Sequence, residues 1–310
     1  MAETSAETTP KETEKTMNEF KMYHPLVNFS YFAFVIGLAC TEMHPFMLCS
    51  SLFCSFLYTC ILDGKKALHS LAFLLPAMLI TAVINPLFNH EGMTILGYLP
   101  DGNPLTLESI IYGLCAAASL VSVLCFFICF SSVMTSDKFM YLFGRIIPSL
   151  SLVLSMTLRF VPLFSERLKK TAEVQKCIGK GLDEKGAFRK IKNALRILSI
   201  TVTWALENAI DTADSMKARG YGTGKRTAFS NYRIEKRDIA VLFYILLLGT
   251  YVMVGKFKGQ TDFSFYPMIK SAPFTVYSIS IFSCYFLLCV TPVIIELWEV
   301  RRWKYLRSKI

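Results

Sequence analysis

No lysine or arginine occurs between Lys21 and Lys65, and none between Lys66 and Lys138. A helix crosses the hydrocarbon core of a bilayer with about 20 apolar residues, so these two gaps are of membrane-spanning length. The rest of the composition agrees. Only 18% of the 310 residues are charged, 53% are apolar and the mean hydropathy is +0.44, whereas soluble domains carry roughly 25% charge.

Six apolar stretches qualify as spans: residues 26–42, 46–62, 68–88, 107–135, 239–254 and 274–297. The first two form a hairpin around Met43-His44-Pro45. The connection 89–106 contains no Lys or Arg and is placed outside, because cytoplasmic loops carry the excess of basic residues. Eighteen of the 33 basic residues fall within 159–237, so that block is read as cytoplasmic. The expected organisation is a disordered cytoplasmic leader over 1–22, four spans within 23–135, a cytoplasmic helical domain over 136–237, two spans within 238–298 and a basic cytoplasmic tail over 299–310. Six spans put both termini in the cytoplasm. The stretch 139–164, interrupted by Arg145, Pro148, Arg159 and Pro162, reads as a helix on or partly in the membrane face rather than a clean span. The fold class is an all-α polytopic membrane protein. Its net charge of +10 then belongs to the cytoplasmic side and does not signal nucleic acid.

Several function classes are disfavoured. The first nineteen residues are acidic and Thr-rich, without the apolar core of a secretory signal. Nine of the ten cysteines lie in apolar runs without C-x-x-C spacing and read as small buried hydrophobes. Cys125 and Cys129 share a helical face, but histidines at 24, 44, 69 and 90 complete no ligand set, so no metal or cofactor is expected. Gly222-Thr223-Gly224-Lys225-Arg226 is the nearest approach to a phosphate-binding loop. It fails, because Arg219 stands where the first glycine is needed and Arg226 where Ser or Thr is needed. No catalytic motif is found, and a non-catalytic protein is expected. Glu42, Glu108 and Glu296 lie at span ends, where water or headgroups would solvate them. That disfavours a secondary transporter of a small solute, which keeps ionisable groups within the bilayer, but leaves it as the alternative. Asn85-Pro86 reads as a helix end rather than a broken helix.

Two helices of the basic block end alike. One runs from about Pro162 through Gln175, Lys176, Cys177 and Ile178 to Gly179-Lys180-Gly181. The other, residues 193–218, places Leu195, Leu198, Val202, Leu206, Ala209, Ile210 and Ala213 at helical spacing. Glu207, Asp211 and Asp214 lie on its other face, and the helix ends in Lys217-Ala218-Arg219-Gly220. Cations and glycine at a helix C-terminus make an ordinary cap. An arginine presented on the tip of a long rod also suits an acidic pocket on a partner.

Several segments together carry a resemblance. They are Tyr23-His24-Pro25-Leu26-Val27-Asn28-Phe29, Asn85-Pro86, Asp101-Gly102-Asn103-Pro104-Leu105-Thr106, Met134-Thr135-Ser136-Asp137-Lys138-Phe139 and Asp214-Ser215-Met216-Lys217-Ala218-Arg219-Gly220. From Tyr23 onward the chain resembles the transmembrane component of energy-coupling factor transporters, the family that includes the CbiQ subunits of cobalt uptake. The resemblance implies a membrane scaffold with a coupling-helix domain and no ATP site of its own. It implies as partners two ATP-binding cassette subunits, nonidentical, and a substrate-binding membrane S component, in the cell membrane, for vitamin or metal-ion uptake. Two Ala-Arg-Gly motifs at coupling-helix tips dock the ATPases in that family. The second maps onto Ala218, Arg219 and Gly220, beside Lys217. The first maps onto Cys177, Ile178 and Gly179, beside Gln175 and Lys180, so its arginine is missing.

Overall fold

The computed structural model describes residues 19–98, 102–144, 147–181, 183, 186–224 and 232–307. Most of the expected leader (1–18), Asp101, Arg145, Lys225, Arg226 and the last three residues of the tail lie outside the described residues. Among the described residues the chain forms ten helices and four short strands: α1 (Glu19–Met22), α2 (Pro25–Thr41), α3 (Pro45–Asp63), α4 (Lys65–Phe88), β1 (Ile95–Tyr98), β2 (Pro104–Thr106), α5 (Leu107–Val133), α6 (Ser136–Gly144), α7 (Pro148–Cys177), α8 (Ala187–Ala218), α9 (Lys236–Phe257), β3 (Phe263–Ser264), β4 (Lys270–Ser271) and α10 (Val276–Arg307). Two compact units result: residues 1–138 with 232–310, and residues 139–231.

Every expected span falls on a helix, namely α2, α3, α4, α5, α9 and α10. Four of them are long and apolar enough to cross a membrane: Pro45–Leu62, Leu107–Val133, Lys236–Phe257 and Val276–Glu299. Pro25–Thr41 and Ala72–Phe88 are shorter apolar helices. The protein is an all-α membrane protein.

Local chemistry sets the boundaries. α2 and α3 both begin with His-Pro. Proline suits the first helical position, where its missing N–H has no partner to lose. The preceding imidazole then caps the turn: His24 Nδ1 accepts from Leu26 N, and His44 Nδ1 accepts from Phe46 N, both at 3.3 Å. At α5, Thr106 Oγ1 accepts from Ser109 N at 3.4 Å. The connection 89–106, expected as a loop, contains an antiparallel hairpin of β1 with β2.

The core of the larger unit is aromatic. Tyr31, Phe32, Tyr58, Phe126 and Tyr285 are buried with Ile245, Ile281 and Leu288. Phe20 joins them edge-on, its ring 5.3 Å from that of Tyr31, and its backbone N donates to Glu296 at 3.3 Å. Rings of this size supply much of a core's burial, which is why Glu19–Met22, expected within the disordered leader, forms a packed helical turn.

Small residues bring the helices close. A Cβ on Gly249 would meet the Phe34 ring at 2.6 Å, and one on Gly113 would meet the Ala82 carbonyl at 2.7 Å. Pro86 has no N–H to give the Ala82 carbonyl four residues earlier, and Gly113 of α5 approaches at that place. Asn85-Pro86 therefore lies in the last turn of α4 and seats α5.

The three span-end carboxylates depart from expectation. Glu42, Glu108 and Glu296 are each about 3% exposed, enclosed by protein rather than solvated. Glu42 pairs with Lys256 at 3.5 Å. Glu108 accepts from Thr94 Oγ1 at 2.7 Å and from Thr94 N, and Glu296 takes the Phe20 N–H. A buried carboxylate is stable only with such partners. Each partner lies far away in sequence, so the spacing could not show it.

Candidate functional site

The smaller unit is built from α7, α8 and all but the first three residues of α6. The apolar stretch 139–164 is divided between α6 and α7, and α7 begins at Pro148 rather than near Pro162. Pro162 lies inside α7, where it removes one hydrogen bond of a 30-residue helix and leaves the rest to carry the element. α8 likewise starts earlier than expected, at Ala187, and its 32 residues make a rod of about 48 Å.

The two helices hold each other through Trp204. Its ring meets Phe164 edge-on at 5.8 Å, and the Arg167 guanidinium lies 5.1 Å from its centroid, a cation–π contact. Asn193, nearly buried, donates from Nδ2 to the Gly181 carbonyl at 3.0 Å and pins the connection between them. Lys176 pairs with Asp183 at 2.5 Å. That contact holds the Asp183 carboxyl below its usual value and the Lys176 ammonium above its own.

α8 buries only a narrow face. Asn193, Ile197 and Thr201 are the buried positions. The apolar stripe read from the sequence points outward: Leu195 is 60% exposed, Val202 48%, Leu206 63% and Ile210 64%. Phe188 and Ile191, at seven and four residues before Leu195, extend this stripe and were missed because the helix was started too late. Glu207, Asp211 and Asp214 are also exposed, and Lys217 lies 3.7 Å from Asp214.

The two tips share one backbone geometry. At the end of α7, Gly179 N donates to Lys176 O at 3.0 Å and Lys180 N to Gln175 O at 2.9 Å. At the end of α8, Gly220 N donates to Lys217 O at 2.9 Å and Tyr221 N to Met216 O at 3.0 Å. Both are Schellman caps, and each needs a left-handed residue just beyond the helix; Gly179 has φ 75° and Gly220 φ 82°. The caps superimpose Cys177, Ile178, Gly179 and Lys180 on Ala218, Arg219, Gly220 and Tyr221. Ile178, at 60% exposure, is the counterpart of Arg219, also exposed. No ion pair holds Arg219 among the described residues. α9 ends with the same pair of bonds at Gly259 and Gln260, so the cap is a general device of this chain; what distinguishes α8 is the exposed guanidinium upon it. Beyond that tip, Thr223 Oγ1 donates to Gly220 O at 2.7 Å, and Lys225 and Arg226 of the failed phosphate-loop match lie outside the described residues.

The described residues thus define a multi-span helical membrane protein that carries a unit with two exposed, identically capped helix ends. The family model for the cobalt transport protein CbiQ matches residues 25–229, and the chain belongs to that family. It is 26% identical over 195 residues to the energy-coupling factor transporter transmembrane protein EcfT of Staphylococcus aureus, covering 57% of this chain and 71% of that one. It is 32% identical over 105 residues to the protein of the same name from Lactobacillus helveticus, covering 33% of this chain and 38% of that one. For the Bacillus selenitireducens protein the identity is 31% over 111 residues, covering 36% and 41%. In the latter two comparisons the chain spans about two-fifths of its relative's length.

Proposed function

We propose that this chain is the transmembrane scaffold of an energy-coupling factor importer. Two ATPase subunits dock at the tips of α7 and α8, and their ATP-driven movement is passed to a separate substrate-binding membrane protein. The observation that carries this reading is the matched pair of exposed Schellman-capped tips, with Arg219 exposed on one of them and in no ion pair among the described residues, in a chain of the CbiQ family. Arg219 presents a planar five-donor fork suited to a carboxylate or to carbonyls lining a groove. Ile178 at the other tip offers only an apolar contact, with Lys180 as the nearest cation, so the two grooves differ in chemistry and suit nonidentical ATPases. The outward stripe of α8 from Phe188 to Ile210, with the apolar outer faces of the spans, would hold the substrate-binding partner.

On this reading the chain lies in the cell membrane with the block 136–237 and both termini in the cytoplasm, and it hydrolyses nothing itself. The buried carboxylates give no support to a secondary transporter, because Glu42, Glu108 and Glu296 are each engaged at a helix end. Purification of the tagged chain from native membranes tests the proposal. Two ATP-binding cassette proteins and one small membrane protein should accompany it; recovery of the chain alone, binding solute stoichiometrically, would instead establish the secondary transporter.

A further inference from the structure

Two of the segments singled out in the sequence, Tyr23-His24-Pro25-Leu26-Val27-Asn28-Phe29 and Met134-Thr135-Ser136-Asp137-Lys138-Phe139, have no part in docking. The structure joins them through one side chain. Lys138, the last residue of the larger unit before the chain passes into the smaller one, is only 4% exposed. Its ammonium donates to the backbone carbonyl of Lys21. With the Asn28 amide turned so that both of its ends are satisfied, Asn28 Oδ1 accepts from Lys138 Nζ at 2.7 Å, and its nitrogen donates to the Phe20 carbonyl at 3.0 Å.

No carboxylate among the described residues forms an ion pair with Lys138. An ammonium removed from water with only neutral acceptors is costly, and burial pushes its pKa down to about 8. A lysine could reach solvent by a rotamer change, so its retention inside fixes the α1–α2 turn to the start of α6. The returning chain is tied to the same turn. Arg237, on the first turn of α9, places its guanidinium 4.7 Å from the centre of the Tyr23 ring. Asp238 beside it is 4% exposed and accepts from Glu235 N at 3.1 Å, which holds that first turn in shape. Both covalent connections to residues 139–231 are therefore held by the segment 20–28, which is itself packed into the aromatic core.

We propose that Lys138 is a positioning residue for energy coupling: by pinning the start of α6 to Lys21 and Asn28, it ties the point where the chain leaves the larger unit to the core of the spans, so that force on the chain at that point reaches the spans instead of being absorbed by slack chain. This rests on the scaffold reading, and the experiment separates the two.

The complex is purified with its native partners, reconstituted in proteoliposomes, and assayed for ATP hydrolysis and for uptake of a mixture of radiolabelled B vitamins and divalent cobalt. A wild-type chain that brings no ATPases and no ATP-driven uptake refutes the scaffold reading. Given a working wild type, Lys138→Met should keep both ATPases and at least half of the hydrolysis while transport per ATP falls about tenfold or more. Asn28→Ala, which keeps the lysine and removes one acceptor, should give a smaller fall in the same ratio, and it serves as the test if Lys138→Met is not produced. Wild-type transport per ATP in the variant measured overturns the proposal. So does a loss of transport matched by an equal loss of bound ATPase or of hydrolysis, which marks a merely structural lysine.

Discussion

Arg219 and Ile178 occupy the same position on two helix ends built by the same hydrogen bonds, each followed by a left-handed glycine. In the smaller unit the geometry that would deliver an arginine to a partner is thus present twice, and the arginine once. The α7 tip has the form of the α8 tip without its charge, so any energetic difference between them resides in the side chains.

Arg219→Ala should weaken binding of one ATPase by about 30-fold to 3000-fold, since losing one partner of a buried interfacial charge pair costs about 2–5 kcal/mol. Arg219→Glu should weaken it further. Ile178→Ala should have a much smaller effect. Surface plasmon resonance with the purified ATPases on nanodisc-embedded variants measures all three. Co-purification of both ATPases with full transport in Arg219→Glu would reduce this tip to an ordinary helix cap.

Cys177 is exposed at the end of α7, whereas the other nine cysteines lie on the helices read as spans. A membrane-impermeant maleimide should label the chain in inside-out vesicles and not in sealed cells, and Cys177→Ser should abolish the signal. Labelling of Cys177 in sealed cells would invert the proposed orientation.

Gly92 has φ 142°, and a Cβ there would meet Glu108 Oε2 at 2.6 Å and Thr106 Oγ1 at 2.9 Å. Gly92→Ala should cost about 1–3 kcal/mol from the backbone alone, and it should displace the carboxylate that Thr94 engages. The expected readout is a lower thermal midpoint in detergent, with docking of the ATPases unchanged. An unaltered midpoint would show that the hairpin connection yields freely.

The depressed pKa of Lys138, about 8 against an ordinary 10.5, means that between those values the unfolded chain holds a proton the folded chain has released. Stability must then rise with pH across that window and be unaffected by this group below it. Lys21 and His24 are the titratable neighbours coupled to it. The difference in melting temperature between wild type and Lys138→Met should grow in favour of the wild type from about pH 8 to pH 10. A flat difference over that range would place the ammonium in water.

Which apolar stretches of the larger unit form helices was legible in the sequence, because apolar length and the positions of Lys and Arg are local signals. The α8 tip was legible for the same reason: Arg219-Gly220 after a long periodic run encodes its own cap. Periodicity could not decide which side of α8 faces its neighbour. The outward run of Leu195, Val202, Leu206 and Ile210 has the stronger apolar pattern, yet Trp204 and Asn193 make the contacts with α7 and its connection. A hydrophobic stripe specifies that a face will be covered without specifying by what. The partners of Glu42, Glu108 and Lys138 were equally hidden. An ionisable group can be buried only where donors or acceptors converge on it, and here they come from Lys256, Thr94, Lys21 and Asn28, which only the packed helices bring within reach.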